Sequence, residues 1–262
     1  MITAKPESQR TVIRAEHLAI GYPGVVIQSG LDFSVQAGEI FVILGGSGCG
    51  KSTLLKTMID LNAPLSGQIT IQDRDLHQSG GRARQEILNE MGVMYQSGAL
   101  FGSMNLLENV SLPLAEFTDL PAAAREIIAL QKLQMTGLVE FSRHYPDEIS
   151  GGMQKRAAIA RAMALEPQIL FLDEPSAGLD PVTASELDQL IVDLSRNLGL
   201  TFVIVTHELH SIMHIADRAI MLGKKGGGIL ASGHPLQMAQ NRHLAEVANF
   251  FKPWLDLNMN RT

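Results

Sequence analysis

The chain has 262 residues, 45% hydrophobic and 18% charged, the profile of a folded globular protein with a substantial core. Its net charge of −6 disfavours an electrostatic nucleic-acid binder, and its single cysteine, Cys49, excludes an internal disulfide and favours a reducing compartment. No apolar run approaches the ~20 residues that span a bilayer, and the polar first ten residues lack a secretory h-region, so we expect a soluble chain that reaches a membrane only through a partner.

The apolar pattern of the first part of the chain predicts an antiparallel pair of strands followed by a parallel α/β core. Residues 11–20 and 25–35 alternate loosely between apolar and polar, with Gly and Pro between them. Short apolar runs then predict strands, several of them buried, at 39–44, 67–73, 168–174, 201–207 and 218–222, with helices at 51–59 and 182–196. Repetition of strand, helix and strand indicates a parallel sheet.

The middle of the chain interrupts this pattern with helices. Between Ala99 and about Ala164 the periodicity is helical, with Pro121 placed to open a helix and Pro146 to break one. We therefore predict one α/β domain at residues 10–235 that carries an inserted helical subdomain at about 99–160.

Residues 236–262 are predicted to form a helical tail, with one helix to about Gln240 and another over 243–251. Its apolar cluster is expected to pack on the chain's own core; the alternative is docking on another subunit or a small accessory protein. The cluster consists of Phe250, Phe251, Trp254, Leu255 and Leu257. Before the tail, the run KKGGG at 224–228 predicts a hairpin turn with mobile lysines.

The stretch GGSGCGKST follows a predicted buried strand, precedes a predicted helix and fits the pattern G-x-x-x-x-G-K-[ST]. Its glycines let backbone N–H groups turn toward phosphates, while Lys51 would reach the β- and γ-phosphates and Ser52 would ligate Mg²⁺. The simpler alternative is a glycine-rich turn with a solvated lysine, and Cys49 is expected to fill a loop position. The predicted nucleotide contacts are Gly45, Gly46, Ser47, Gly48, Cys49, Gly50, Lys51, Ser52 and Thr53.

Polar residues at the ends of three other strands complete a predicted hydrolytic site. Asp173, at the end of ILFLD, is placed to hold Mg²⁺, and Glu174 is placed to activate a water against the γ-phosphate. His207 ends FVIVTH and would sense the γ-phosphate or position that water. Gln96 ends GVMYQ and would reach Mg²⁺ or the water. The alternative for each is an ordinary surface or structural role.

Ser150, Gly151 and Gly152 stand at the start of a predicted helix in EISGGMQKRAAIARA, where unpaired backbone N–H groups attract an anion. An N-cap made by Ser150 is expected in any case, but an N-cap does not explain two glycines.

With these motifs in order, the chain resembles the nucleotide-binding subunits of ATP-binding cassette (ABC) transporters over about residues 10–235. ISGGM resembles the family signature LSGGQ, and SAGLD (176–180) resembles the D-loop that ends at Asp180. Gln96 matches the Q-loop and His207 the switch histidine. Tyr22 falls where the family places an aromatic ring that stacks on adenine; a half-buried tyrosine at a strand end is the alternative.

This resemblance implies an ABC ATPase fold: a P-loop NTPase core of the RecA type, with an antiparallel β subdomain and an inserted α-helical subdomain. It also implies ATP and Mg²⁺ as cofactors. Two cassettes would form a head-to-tail homodimer that shares two ATP molecules, each held between one Lys51 loop and the partner's Ser150, Gly151 and Gly152.

Two stretches, YQSGALFGSMNLLENVSLPL and SGGMQKRAAIARA, are similar to the ATPases of MCE-type (Mla) lipid transport systems. That resemblance implies phospholipid transport at the cytoplasmic face of an inner membrane, with an MlaE-like permease and an MlaD-like MCE-domain protein as partners. The alternatives are an importer of a polar solute such as an amino acid and a soluble ATP-driven switch. Leu100 and Phe101 are expected either to receive a coupling helix of the permease or to pack inside the helical lobe.

Overall fold

The computed structural model describes residues 10–241 and 244–259. The strands are β1 Thr11–Tyr22, β2 Val25–Gln36, β3 Ile40–Gly45, β4 Ser66–Ile71, β5 Arg74–Asp75, β6 Met91–Met94, β7 Ile169–Asp173, β8 Thr201–Val205, β9 Arg218–Leu222 and β10 Ile229–Gly233. The helices are α1 Lys51–Met58, α2 Gly81–Asn89, α3 Leu106–Phe117, α4 Ala122–Met135, α5 Gly151–Ala162, α6 Pro181–Leu198, α7 Leu209–Ile215, α8 Pro235–Gln240 and α9 Ala245–Met259. Two 3₁₀ turns, Val139–Phe141 and Pro146–Glu148, lie between α4 and α5.

The strands form two sheets. A four-stranded sheet has the order β2-β1-β4-β5 and is antiparallel, and a six-stranded sheet has the order β10-β9-β3-β8-β7-β6. Strands β3, β6, β7, β8 and β9 run parallel, and β10 pairs antiparallel with β9 at one edge. Ile43 and Asp173 both pair with Val205, so the carboxyl ends of β3, β7 and β8 meet at one edge of the sheet.

The core of the α/β domain lies on both faces of the parallel sheet. Phe41 and Ile43 of β3 pack on one face, with α1 and the four-stranded sheet. Ile40 and Val42 pack on the other face, with α5, α6 and α7. Because successive side chains of a strand point to opposite faces, a strand covered on both sides is apolar throughout, which explains why β3 is a continuous apolar run.

The inserted helices have a core of their own. Helices α3, α4 and α5 enclose a cluster that includes Leu106, Leu133 and Ala157, all fully buried. Asn105 caps α3 reciprocally with Glu108: its side chain accepts from Glu108 N at 2.9 Å, and Glu108 accepts from Asn105 N at 2.8 Å. This capping box fixes where the subdomain begins.

The strand pair at 11–20 and 25–35, the strands of the parallel core and the helices after Gly50 and Asp180 are confirmed to within a few residues. The helix opened by Pro121 and the hairpin turn at 224–228 are confirmed too. Pro146 lies in the interval between α4 and α5, so the helical pattern is interrupted there as predicted, although α4 already ends at Met135. Pro146 begins a 3₁₀ turn, and the preceding Tyr145 is extended, the conformation that proline imposes on its neighbour. Elements β5, α2 and α7 were not predicted, and β6 was indicated only by the run GVMYQ that Gln96 ends.

The tail differs from the prediction. Helix α9 does not stop at Phe251 but continues through Pro253 to Met259; His243, the predicted first residue, lies outside the described residues. Phe251 is fully buried and Leu255 packs against the same cluster, and burial of this face outweighs the hydrogen bond that proline cannot donate. Packing on the chain's own core is confirmed for Phe251, whereas Leu257 is 71% exposed.

Candidate functional site

The phosphate loop runs from Gly45, the last residue of β3, to Lys51, the first residue of α1. Gly45 has φ +149°, and a Cβ there would lie 2.7 Å from both Cys49 Sγ and Leu222 O. Gly50 has φ +105°, and its Cβ would lie 2.7 Å from Ile27 Cγ2. Both positions therefore need glycine for conformation and for space.

Lys51 lies over the loop that it follows. Its Nζ donates to Gly45 O at 2.8 Å and to Gly46 O at 3.2 Å, which places the ammonium at the mouth of the loop. The side chain of Ser52 is on the exposed side of α1, whereas Thr53 is buried. Cys49 is 3% exposed and packs against Gly45, so the interpretation that it fills a loop position is confirmed.

Gln28 of β2 holds the back of the phosphate loop and was missed by the sequence analysis. It is fully buried, and its Nε2 donates to Cys49 O and Gly223 O, both at 2.8 Å. Its Oε1 accepts from Gly228 N at 2.8 Å, within the turn between β9 and β10. One amide thus joins strand β2, the phosphate loop and the turn between β9 and β10, which are distant in sequence. A single polar residue in a half-exposed strand gives no sequence signal for this role.

Glu174 and His207 are brought together as predicted, beside Asp173 at the end of β7. Glu174 Oε1 and His207 Nδ1 are 2.7 Å apart, a hydrogen bond that links the ends of β7 and β8. Glu174 has φ +47°, a conformation uncommon for a residue with a side chain, and its N–H donates to Val205 O at 2.8 Å. Such strain is typical of residues whose position serves function.

Asp173 suits a magnesium ion. Its Oδ1 is buried with no hydrogen-bond partner among the described residues, and so is Glu174 Oε2. Burial raises the pKa of Asp173, and the negative charge of Glu174 raises it further, while Lys56, Lys51 and Lys155 oppose the shift. Carboxylate, hydroxyl and amide oxygens from Asp173, Ser52 and Gln96 match the ligand preference of Mg²⁺, which also keeps water and substrate oxygens.

Gln96 follows β6 and lines the same cleft as Asp173, together with Lys155 of α5. The Gln96 side chain is exposed, and its backbone carbonyl accepts a hydrogen bond from Lys155 Nζ. Lys155 is 8% exposed, and its buried position lowers its pKa, against the opposing charges of Asp173 and Glu174. No residue of the SGGMQKR run after the glycines was assigned a role from sequence, so this buried cation was also missed.

The Ser150 end of α5 lies against the D-loop of its own chain. Ser150 caps the helix by accepting from Met153 N at 3.3 Å, and Asp180 caps α6 by accepting from Val182 N and Thr183 N, both at 3.1 Å. A Cβ on Gly152 would lie 2.3 Å from Thr183 Cγ2, so this glycine is required for packing, whereas one on Gly151 would be 3.7 Å from Leu179 Cδ2. Packing within the chain therefore explains the glycine at position 152 but not the glycine at position 151.

Tyr22 is 46% exposed at the end of β1. This burial fits the alternative of a half-buried tyrosine at a strand end, and it also leaves part of the side chain accessible to a stacking partner. The two apolar residues at 100 and 101 differ in burial: Leu100 is half-buried against the helical lobe, and Phe101 is 51% exposed.

Within residues 10–241 and 244–259, no helix has both the length and the apolar character needed to cross a membrane.

Residues 28–177 match the sequence family described as ABC transporter. The probable ribonucleotide transport ATP-binding protein mkl of Mycobacterium leprae is 44% identical over 191 residues, which are 73% of this chain and 55% of that protein, so the chain spans about half the length of this relative. The intermembrane phospholipid transport system ATP-binding protein MlaF of Haemophilus influenzae is 35% identical over 243 residues, 93% of this chain and 91% of that protein. Among solved structures, the dimeric ATP-binding cassette MJ0796 in a post-hydrolysis state bound to ADP and Pi superposes with a TM-score of 0.75 at 30% identity, covering 85% of this chain and 98% of that one.

Proposed function

Because the chain belongs to the ABC transporter family, we propose that it binds and hydrolyses ATP as the energy-supplying subunit of a membrane transport complex. The observation that carries this proposal is the convergence at one sheet edge of the Lys51 loop, the Asp173 carboxylate and the Glu174–His207 pair. Ligands of parallel α/β sheets bind at the carboxyl ends of the strands, where this edge lies.

Each of these residues has a separate role in the proposed reaction. Lys51 and the loop amides hold the β- and γ-phosphates, and the Tyr22 ring stacks on adenine. Glu174 accepts a proton from the water that attacks the γ-phosphate, and His207 orients Glu174 and the phosphate. When bound by Ser52, Asp173 and Gln96, Mg²⁺ would supply positive charge to the phosphate oxygens.

Replacing Glu174 by Gln tests the assignment of the general base. The amide keeps the size of the side chain but cannot accept the proton, so we expect ATP affinity within about threefold of normal and turnover reduced by about a hundredfold or more. Turnover would be followed by phosphate release and affinity with a fluorescent nucleotide. Turnover above a tenth of the normal rate would show that another group serves as base.

We further propose that the chain acts as a head-to-tail dimer in which each ATP contacts two subunits. The Ser150 end of α5 carries a glycine, Gly151, that its own packing does not require, and a helix amino terminus favours an anion. In the dimer, Ser150, Gly151 and Gly152 would grip the γ-phosphate held by Lys51 of the other subunit, near Asp180 of the D-loop. The 30% identical cassette MJ0796, whose structure is described as dimeric with ADP and Pi, supports this arrangement.

As the transported substrate we propose phospholipid, carried by an Mla-type complex of the inner membrane. The support is the similarity to MlaF of Haemophilus influenzae over nearly the full length of both proteins. The partners would be an MlaE-like permease and an MlaD-like MCE-domain protein, with the chain on the cytoplasmic face. The name of the mycobacterial relative, which refers to ribonucleotide transport, keeps a polar-solute transporter as the second candidate.

Recovery of the tagged chain from its own membranes in mild detergent separates the two candidates. We expect mass spectrometry to identify a permease together with an MCE-domain protein, and we expect lipid extraction to recover phospholipid with them. A permease accompanied by a solute-binding protein and no MCE-domain protein would refute the phospholipid proposal while leaving the ATPase chemistry intact.

A further inference from the structure

Helix α5 holds residues 96–101, which we name the Q-loop segment, through two cations. Lys155 Nζ donates to the carbonyl of Gln96. Arg161 Nη2 donates to Gly98 O at 2.9 Å, and its Nη1 donates to Ala99 O at 2.7 Å. Three carbonyls of one short segment are therefore bound by side chains of one helix.

The far end of the Q-loop segment is also held by the helical subdomain. Asn109 of α3 is fully buried; its Oδ1 accepts from Phe101 N at 2.8 Å, and its Nδ2 donates to Phe101 O at 3.1 Å. Hydrogen bonds from α3 and α5 therefore hold the Q-loop segment, which begins two residues after the end of β6.

Lys155 is the one of these groups that faces the hydrolytic centre. Lys155 is 8% exposed as a residue, and its ammonium has three N–H donors and bonds a neutral carbonyl. None of the salt bridges among the described residues includes it. It lines the cleft with Gln96 and Asp173, and its charge interacts with Asp173 and Glu174. Within the described part of the chain, the buried oxygens Asp173 Oδ1 and Glu174 Oε2 have no hydrogen-bond partner. A buried cation without an ion pair is costly, so a purely structural donor would be expected to be neutral.

Lys155 lies on the same helix as Ser150, so its bond to the Gln96 carbonyl is connected through α5 to the ATP that the partner subunit would hold. Lys155 lies five residues after Ser150, or about 7 Å along the same helix at 1.5 Å per residue. In the proposed dimer the Ser150 end of α5 contacts ATP held by the partner, whereas Lys155 contacts the Q-loop segment of its own site. One rigid helix thus touches both ATP sites.

We propose that Lys155 is a positioning residue that couples the two ATP sites: it sets the place of Gln96 beside Asp173 according to the position of α5. This inference rests on the proposed ATPase function and the proposed dimer. When α5 shifts as its amino terminus engages the partner's ATP, the Lys155 bond carries Gln96 with it. The ammonium also offsets the negative charge of Asp173 and Glu174 before the phosphates and Mg²⁺ arrive.

The test compares Lys155→Met with Lys155→Arg, using Lys132→Met as the matched control. Lys132 is a second buried lysine of the helical subdomain, 6% exposed, but it pairs with Glu166 at 3.1 Å and has no contact with the Q-loop segment among the described residues. Arg at position 155 keeps the charge and the donors. The full chain is purified in each form, and its fold is checked by thermal unfolding.

Two readouts are measured. In the nucleotide-free chain, we expect Lys155→Met to accelerate amide hydrogen exchange of residues 96–101 by about tenfold, the effect of losing a charge-assisted hydrogen bond, with α3 unchanged. In ATP turnover, we expect the Hill coefficient for ATP to fall to 1. We also expect the relative decrease in kcat to be larger than the relative increase in the ATP concentration that gives half the maximal rate. Lys155→Arg and Lys132→Met should match the unmodified chain in both readouts.

The proposal is overturned if exchange of residues 96–101 in Lys155→Met equals that of the unmodified chain, or if the Hill coefficient is unchanged. It is also overturned if Lys132→Met alters either readout as strongly as Lys155→Met, since a buried lysine would then matter only for stability. Absence of turnover in the unmodified chain would instead refute the proposed function, and the exchange measurement would still decide whether Lys155 positions the segment.

Discussion

The amide of Gln28 is predicted to stabilise both the fold and the phosphate loop. Replacing it by Met keeps the length of the side chain but removes four hydrogen bonds: Nε2 donates to Cys49 O, Gly223 O and Lys224 O, and Oε1 accepts from Gly228 N. A neutral hydrogen bond contributes about 0.5–1.5 kcal/mol net, so we expect the free energy of unfolding to fall by about 2–4 kcal/mol. The loop carbonyl left without its donor should also weaken ATP binding by about three- to tenfold.

Urea denaturation gives the change in the free energy of unfolding, and titration with a fluorescent nucleotide gives the change in affinity. Gln68→Met is the matched control, because Gln68 donates a single hydrogen bond to Glu16 Oε2 at 2.6 Å on the half-exposed sheet surface. We expect that control to change stability by less than about 1 kcal/mol and to leave ATP affinity unchanged. Equal stability losses for Gln28→Met and Gln68→Met would refute the reasoning.

Three further changes test other parts of the structure. Phe251→Ala removes a fully buried ring that joins α9 to the core, so we expect a loss of about 3–5 kcal/mol by chemical denaturation. Gly152→Val places a side chain where a Cβ would already be 2.3 Å from Thr183 Cγ2, so we expect a lower melting temperature, whereas Gly151→Ala should keep it. Asp188 is buried, and burial raises its pKa, an effect that a hydrogen bond from Ser211 and the charges of His214 and His210 partly offset. Ionisation of Asp188 therefore destabilises the folded chain: the penalty is absent below the unfolded pKa, grows as pH rises above it and is complete above the folded pKa. Asp188→Asn should accordingly stabilise the chain at pH 7 by about 1 kcal/mol or more and have no effect near pH 3.

Each of these predictions has a contrary result. A loss below about 1 kcal/mol for Phe251→Ala would mean that α9 is not part of the folded core. Equal melting temperatures for the two glycine variants would remove the packing distinction between positions 151 and 152. A stabilisation by Asp188→Asn that is the same at pH 3 and pH 7 would show that ionisation of Asp188 is not its cause.

The parallel core and the sheet edge that carries the proposed site were predictable because local signals agree there. Strand β3 and the first four residues of β7 are apolar because both faces of the sheet are covered, and glycines mark the loop that must turn sharply after β3. Parallel strands end at the same edge, so the meeting of Glu174 and His207 followed from strand order alone.

What could not be predicted depends on contacts between distant segments. Gln28 and Gly223 are 195 residues apart, and Lys155 and Gln96 are 59 apart, so no local pattern marks either bond. The course of α9 through Pro253 was decided by burial of Phe251, which overrides the usual effect of proline on a helix. Strand β5 has two residues, too few for periodicity to detect.

The central claim is that each ATP is held between the Lys51 loop of one subunit and the Ser150 end of α5 of the other. Two chains test it, each carrying Glu174→Gln to prevent turnover: one adds Lys51→Ala and the other adds Gly151→Asp. An Asp side chain fits at position 151, where a Cβ would be 3.7 Å from Leu179 Cδ2, but its charge repels a phosphate.

The measurement is the ATP retained through gel filtration, together with the mass of the species that carries it. Neither chain alone should retain ATP as a dimer. A mixture should, because pairing the two chains creates one site with an intact Lys51 and an intact Gly151. A mixture that retains no more ATP than the separate chains, or a single chain that retains ATP as a monomer, would contradict the account.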